Sequence, residues 1–86
     1  MARLVEASDA KWQKTRVQCY SGSGGEEEPR SFDVGFQRCQ VLDIIERWQI
    51  PTHRYFKVKV QGAKFFMLRQ PKSGADWEMA PLSARR

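Results

Sequence analysis

The residues with the clearest chemical potential lie in one stretch. Between His53 and Lys72 stand six basic side chains, Arg54, Lys57, Lys59, Lys64, Arg69 and Lys72, and no acidic one. The rest of the chain carries nine basic and ten acidic residues, so the net charge of +5 is concentrated here. Tyr55 and Phe66 are interleaved with these cations. Lysine and arginine neutralise phosphates and release counterions, while aromatic rings stack on splayed bases. That combination suits a sequence-tolerant binder of single-stranded nucleic acid. Arg54, Lys57, Lys59, Lys64 and Arg69 would meet phosphates, and Tyr55 and Phe66 would stack. The plainer alternative is a solubilising face whose lysine stems lie across the rings. An acidic protein is an alternative partner. Trp12, Tyr20, Trp48 and Tyr55 could also line a groove for a peptide, or a sheet edge could accept a partner strand.

Catalytic chemistry finds little support. His53 is the single histidine, and it reads as a residue at the start of a strand rather than as a base. Asp33, Asp43, Glu46 and Asp76 have no spacing that would bring two carboxylates together. The segment Ser21 to Gly25 lacks the Lys-Ser/Thr that completes a phosphate-binding loop. Cys19 and Cys39 form no C-x-x-C, and a metal site would need His53 as third ligand. Two free thiols are expected, with a disulfide between neighbouring strands as the alternative. No enzyme activity, cofactor or metal is expected.

At 86 residues and 10.0 kDa the chain allows one small domain. A domain of this size buries only about 60–65% of its unfolded surface. The 41% hydrophobic content is too high for a disordered chain. No apolar run approaches the roughly 20 residues that span a membrane. Met1 to Ala10 shows no secretion signal. A cytoplasmic monomer with no membrane contact is the expectation.

Period-two alternation predicts the elements that must position the basic stretch. Thr15 to Tyr20 and Arg30 to Val34 read as strands, with Gly35 turning the chain. Ser21 to Pro29 reads as a solvated connector, and its glutamates Glu26, Glu27 and Glu28 could alternatively fold back over the basic hairpin. Gln37 to Trp48 fits a helix with Val41, Ile44, Ile45 and Trp48 in one stripe. Its β-branched content favours a strand with a bulge near Asp43. His53 to Val60 and Ala63 to Gln70 predict a hairpin about a two-residue turn at Gln61-Gly62. That register puts Val60, Val58 and Phe56 opposite Ala63, Phe65 and Met67 on an apolar face. It puts Lys59, Lys57 and Tyr55 opposite Lys64, Phe66 and Leu68 on the other. Pro71 to Gly74 is a turn, and Asp76 to Met79 a last strand, with Trp77 and Met79 inward.

The expected core is Val17, Cys19, Phe32, Val34, Val41, Ile45, Trp48, Phe56, Val58, Val60, Phe65, Met67 and Trp77. The fold class is all-β, one small antiparallel barrel-like sheet of five to six strands, SH3-like or related. Residues 1–14 form a poorly ordered N-terminal segment, 15–80 the β domain and 81–86 a tail.

Phe32, Val41, the Asp43 to Trp48 run DIIERW, the Arg54-Tyr55-Phe56-x-Val58 run and Asp76-Trp77-Glu78 resemble a bacterial family of short uncharacterised proteins. Its pattern looks like F-x-x-x-G, V-L-D-R-W, R-Y-F-x-V, L-R and W-x-L in that order, over roughly residues 15 to 80. The chain departs from it at Ile44-Ile45, where a shorter stretch precedes Arg-Trp, and at Gln61-Gly62, where Asp-Gly is usual. The resemblance implies an all-β domain and no catalytic residues.

Overall fold

The computed structural model describes residues 12–21 and 27–82. These form seven strands: β1 (Gln13–Lys14), β2 (Val17–Ser21), β3 (Glu27–Val34), β4 (Gln37–Gln49), β5 (His53–Val60), β6 (Lys64–Pro71) and β7 (Glu78–Leu82). The sheet order is β1-β7-β6-β5-β4-β3-β2, and every neighbouring pair is antiparallel. β2 to β7 therefore succeed one another as hairpins. β1 and β2 stand at opposite ends of that order, yet only Thr15 and Arg16 separate them. Two residues cannot bridge the width of a flat sheet, so the sheet curls until its edges approach.

Thr15 forms the seam. Its N–H donates to the Trp77 carbonyl at 3.0 Å, and its hydroxyl donates to the Asp33 carbonyl at 2.8 Å while accepting the Asp33 N–H at 3.0 Å. The fold is all-β and barrel-like as expected, with seven strands rather than five or six. The additional strand is β1, in a stretch read from the sequence as terminal segment. The expectations for residues 1–11, 22–26 and 83–86 fall outside the described residues.

Two proline positions explain longer strands than the sequence suggested. β3 begins at Glu27, inside the expected connector, and accommodates Pro29 because β4 pairs with β3 only from Ser31 to Val34. β7 continues through Pro81 because β1 pairs only with Glu78 and Met79. Both prolines thus stand where one neighbouring strand has ended, and a missing N–H is tolerated there.

β4 is a strand, and it serves two neighbours in turn. Gln37 to Gln40 pair with β3, and Val41 to Gln49 with β5. The register shifts twice, between Val41 and Asp43 and between Ile44 and Glu46. Each bulge leaves one apolar residue, Leu42 and then Ile45, out of the ladder and re-aims the side chains after it. Ile45 and Trp48, expected in the core, are consequently exposed, and Ile44 packs inward instead.

The β5–β6 hairpin differs from its expected register by one residue. The turn holds three residues, Gln61 to Ala63, with Gly62 at φ +84° and Ala63 at φ +59°. Val60 pairs with Lys64, Val58 with Phe66 and Phe56 with Leu68. A one-residue slip moves a whole strand face across the sheet. Phe66 and Leu68 therefore enter the core, while Phe65 and Met67 lie half-buried on the outer face. The two registers also differ in their charge pairs. The two-residue turn would set Arg54 against Arg69 on the core side. The observed register pairs Arg54 with Gln70, Nη1 to Oε1 at 3.0 Å, and frees Arg69 to reach Glu78. The buried core is Phe32, Phe56, Val58, Val60, Phe66, Leu68 and Met79, with Val17, Val34, Cys39, Val41, Ile44 and Trp77 packed against it.

Candidate binding face

Strands β4, β5 and β6 present the outer face on which the basic residues would act. One row of cross-strand partners runs over it as Trp48, Tyr55, Arg69 and Glu78. A second row is Glu46, Lys57, Met67 and Ala80, and a third is Asp43, Lys59, Phe65 and Leu82.

Aromatic contacts organise the first row. Trp48 lies parallel on Tyr55, with 2° between planes and 5.2 Å between centroids. Trp48 remains 40% exposed, so its ring is accessible to a ligand. Trp12 and Tyr55 form a T-shaped pair at 6.3 Å. The Arg69 guanidinium sits 4.0 Å from the Trp12 ring centroid and donates from Nε to Glu78 Oε1 at 2.6 Å. Such a cation–π contact combined with a charge-assisted hydrogen bond holds a long side chain in one place. His53 flanks Tyr55 at 6.0 Å, and its Nδ1 shares a hydrogen bond with the Thr52 hydroxyl at 2.8 Å.

The seven residues singled out from the sequence do not all share this face. Tyr55, Lys57, Lys59 and Arg69 do. Arg54 and Lys64 have the parity of the core side, where Arg54 lies 5.1 Å from the Phe56 ring centroid and Lys64 ends the strand opposite Val60. Phe66 is only 8% exposed and packs edge-on against Phe32 at 5.2 Å. A ring in that position cannot stack on a base, so the stacking role assigned to Phe66 is withdrawn. The cause is the three-residue turn.

The face is also less uniformly basic than its own hairpin. Lys57 stands opposite Glu46, and Lys59 opposite Asp43. Among the described residues neither lysine closes an ion pair within 4.0 Å, so both ammonium groups can still reach a ligand. The acids nonetheless reduce the potential that the face offers a polyanion.

Glu28, the member of the acidic run whose side chain is described, feels the charge of Arg54 on the hairpin but has its closest partner on β4. It is engaged by Arg47 of β4, Nε to Oε2 at 2.5 Å and Nη2 to Oε1 at 3.2 Å. That hydrogen bond holds the Glu28 carboxyl below its ordinary range and raises the Arg47 guanidinium. The pair spans the opening where β3 and β4 part. Beside the seam, an open cleft of about 470 Å³ is lined by Lys14, Arg16, Asp33 and Asp76 among others, and its charges balance.

Cys19 and Cys39 are half-buried and form no disulfide. Among the described residues no group of three His, Cys, Asp or Glu side chains could hold a metal ion. Among them, too, no helix is long and apolar enough to cross a membrane.

Of the aromatic residues read from the sequence as a possible peptide groove, Trp12, Trp48 and Tyr55 are brought together here, whereas sequence reasoning missed Asp43 and Glu46 as members of the face. The acidic pair had a readable signal, since Asp43 and Glu46 precede Lys57 and Lys59 across a single turn in hairpin order. The competing placement of Trp48 in the core failed because its outward direction depends on two bulges. Comparison with known proteins yields no matching family model, no matching curated protein and no matching solved structure, so the functional reading rests on the chemistry of this face.

Proposed function

We propose that the chain is a small, non-enzymatic, cytoplasmic binding module that takes single-stranded nucleic acid on the outer face of β4, β5 and β6. The observation that carries this reading is the accessible Trp48 ring lying flat on Tyr55, with Lys57 and Lys59 further along the same strand. A base stacking on Trp48 would extend an existing stack, and its flanking phosphates would meet the two lysines. Arg69 is held by Trp12 and Glu78 and is not a free cation on this face. Arg54 and Lys64 would bear only on a strand that wraps past the hairpin. The curl of consecutive hairpins supports reading the architecture as an SH3-like or related small barrel, acting as a monomer.

An NMR titration of the labelled protein with short single-stranded DNA and RNA at two salt concentrations tests the proposal. Shifts at Trp48, Tyr55, Lys57 and Lys59 that weaken with salt are expected. No shift at low salt would retire it.

A second reading has one observation of its own. Leu42, Ile45 and Trp48 of β4 and Ile50 just beyond it are all exposed, and residues 41–49 of β4 pair with β5 alone. A partner protein could add a strand there or cover the apolar residues. Such binding would move the signals of residues 41–50 and change little with salt.

A further inference from the structure

Trp12 stands where a ligand would have to go. Its ring stands at 69° to that of Tyr55 and lies beneath the Arg69 guanidinium, so it occupies two groups that a bound base could use on that side of the row. β1 is anchored by two residue pairs, Gln13 with Met79 and Lys14 with Glu78, and both of its side chains are exposed. The Lys14–Asp76 ion pair is 3.9 Å long and open to solvent. Surface pairs of that kind contribute little.

Immediately after β1 the hold becomes firm. Thr15 is buried and bonded to both Asp33 and Trp77. β1 contributes no residue to the buried core, and of the core residues only Met79 pairs with it, through Gln13.

We propose that Trp12 is a displaceable cover, so that the N-terminal strand β1 and a single-stranded nucleic acid compete for Tyr55 and Arg69. The inference rests on the nucleic-acid reading of the face and adds its regulation. With the cover down, the face offers Trp48 and the lysines. With it lifted, Tyr55 and Arg69 join them, and the Met79 and Glu78 edge of β7 is released. A ligand that needs the uncovered state has its apparent affinity reduced by the fraction of molecules uncovered. Removing the ring abolishes that penalty.

The test uses the full chain and an oligothymidine as probe. The three indole N–H signals, from Trp12, Trp48 and Trp77, are assigned by single Trp→Phe variants and followed during titration at low salt. Affinity is then compared between the wild type and Trp12→Ala, with the amide spectrum of the variant confirming the fold. Displacement predicts that the Trp12 signal moves toward its solvent-exposed position as Trp48 shifts, and that Trp12→Ala binds more tightly, by about tenfold if one molecule in ten is uncovered. Weaker binding by Trp12→Ala would make Trp12 part of the platform and overturn the proposal. So would a Trp12 signal that stays fixed while Trp48 responds. A titration in which no indole signal moves and neither protein binds would overturn the nucleic-acid reading, and this inference with it.

Discussion

The hydroxyl of Thr15 is bonded twice to the backbone of Asp33, donating to its carbonyl and accepting from its N–H, across 18 positions of sequence. This joins the β3 edge of the sheet to the segment that also reaches Trp77 beside β7. A single buried side chain thus helps turn an open meander into a curled sheet. Thr15→Val keeps the shape and removes both bonds. Loss of about 1–3 kcal/mol is expected in urea unfolding, with Thr15→Ser close to wild type. Unchanged stability in Thr15→Val would show that the seam does not depend on this hydroxyl.

The hairpin register is tested by two adjacent phenylalanines. Phe66 is in the core and Phe65 on the outer face. Phe66→Ala should cost about 3–5 kcal/mol, enough to unfold much of so small a domain. Phe65→Ala should cost clearly less. The reverse order in thermal or urea unfolding would restore the two-residue turn.

The same turn carries a strained alanine. Ala63 has φ +59°, in the left-handed region that costs a side chain about 1–2 kcal/mol. Ala63→Gly relieves this and loses part of the gain to greater freedom of the unfolded chain. A net stabilisation of about 0.5–1 kcal/mol is expected from the unfolding midpoint. Gly62→Ala, at φ +84°, should destabilise, although its added Cβ would meet nothing nearer than the Lys64 Cε at 3.9 Å. Opposite signs at neighbouring positions are the signature to look for.

These features mark where the sequence was readable. Alternation located β2, β5 and β6, and Gly35, Gly62 and Gly74 lie in the turns, all at positive φ. Phe32, Phe56, Val58 and Val60 are core residues in any register that keeps β5 straight. Legibility failed where one residue decided the direction of many. The third turn residue at Ala63 exchanged Phe65 and Met67 for Phe66 and Leu68. The bulges at Leu42 and Ile45 sent Trp48 outward. Neither has a local motif, because each shows itself only in the pairing between strands. The candidate face was half legible for the same reason. The parity of β5 alone identified Tyr55, Lys57 and Lys59, whereas its neighbours on β4 and β6 required the true register.

The Glu28–Arg47 pair gives a pH prediction. Hydrogen bonding to Arg47 lowers the Glu28 pKa from its ordinary 4.5, so the folded state favours the ionised carboxylate. Its contribution is present above the unfolded value and lost as pH falls through the lowered one. Both side chains are more than a third exposed, which screens the pair to at most about 1 kcal/mol. Wild type should exceed Glu28→Gln in stability near neutral pH, and the gap should close as pH falls below 4.5. A gap that is constant in urea titrations across that range would contradict the assignment.

The central claim is that the Trp48–Tyr55 stack and its two lysines form a surface for single-stranded nucleic acid. Its most direct test is the affinity of a fluorescent single-stranded oligonucleotide, measured by anisotropy over a range of salt for wild type, Trp48→Ala and Lys57→Ala/Lys59→Ala. Trp48 is exposed, so its removal should leave the fold intact and weaken binding by about 1–3 kcal/mol at every salt concentration. The lysine pair should instead flatten the salt dependence, by about 0.7 in log–log slope for each phosphate no longer neutralised. Equal binding by all three proteins, or binding that ignores salt, would contradict the account and leave the exposed apolar edge of β4 as the working surface.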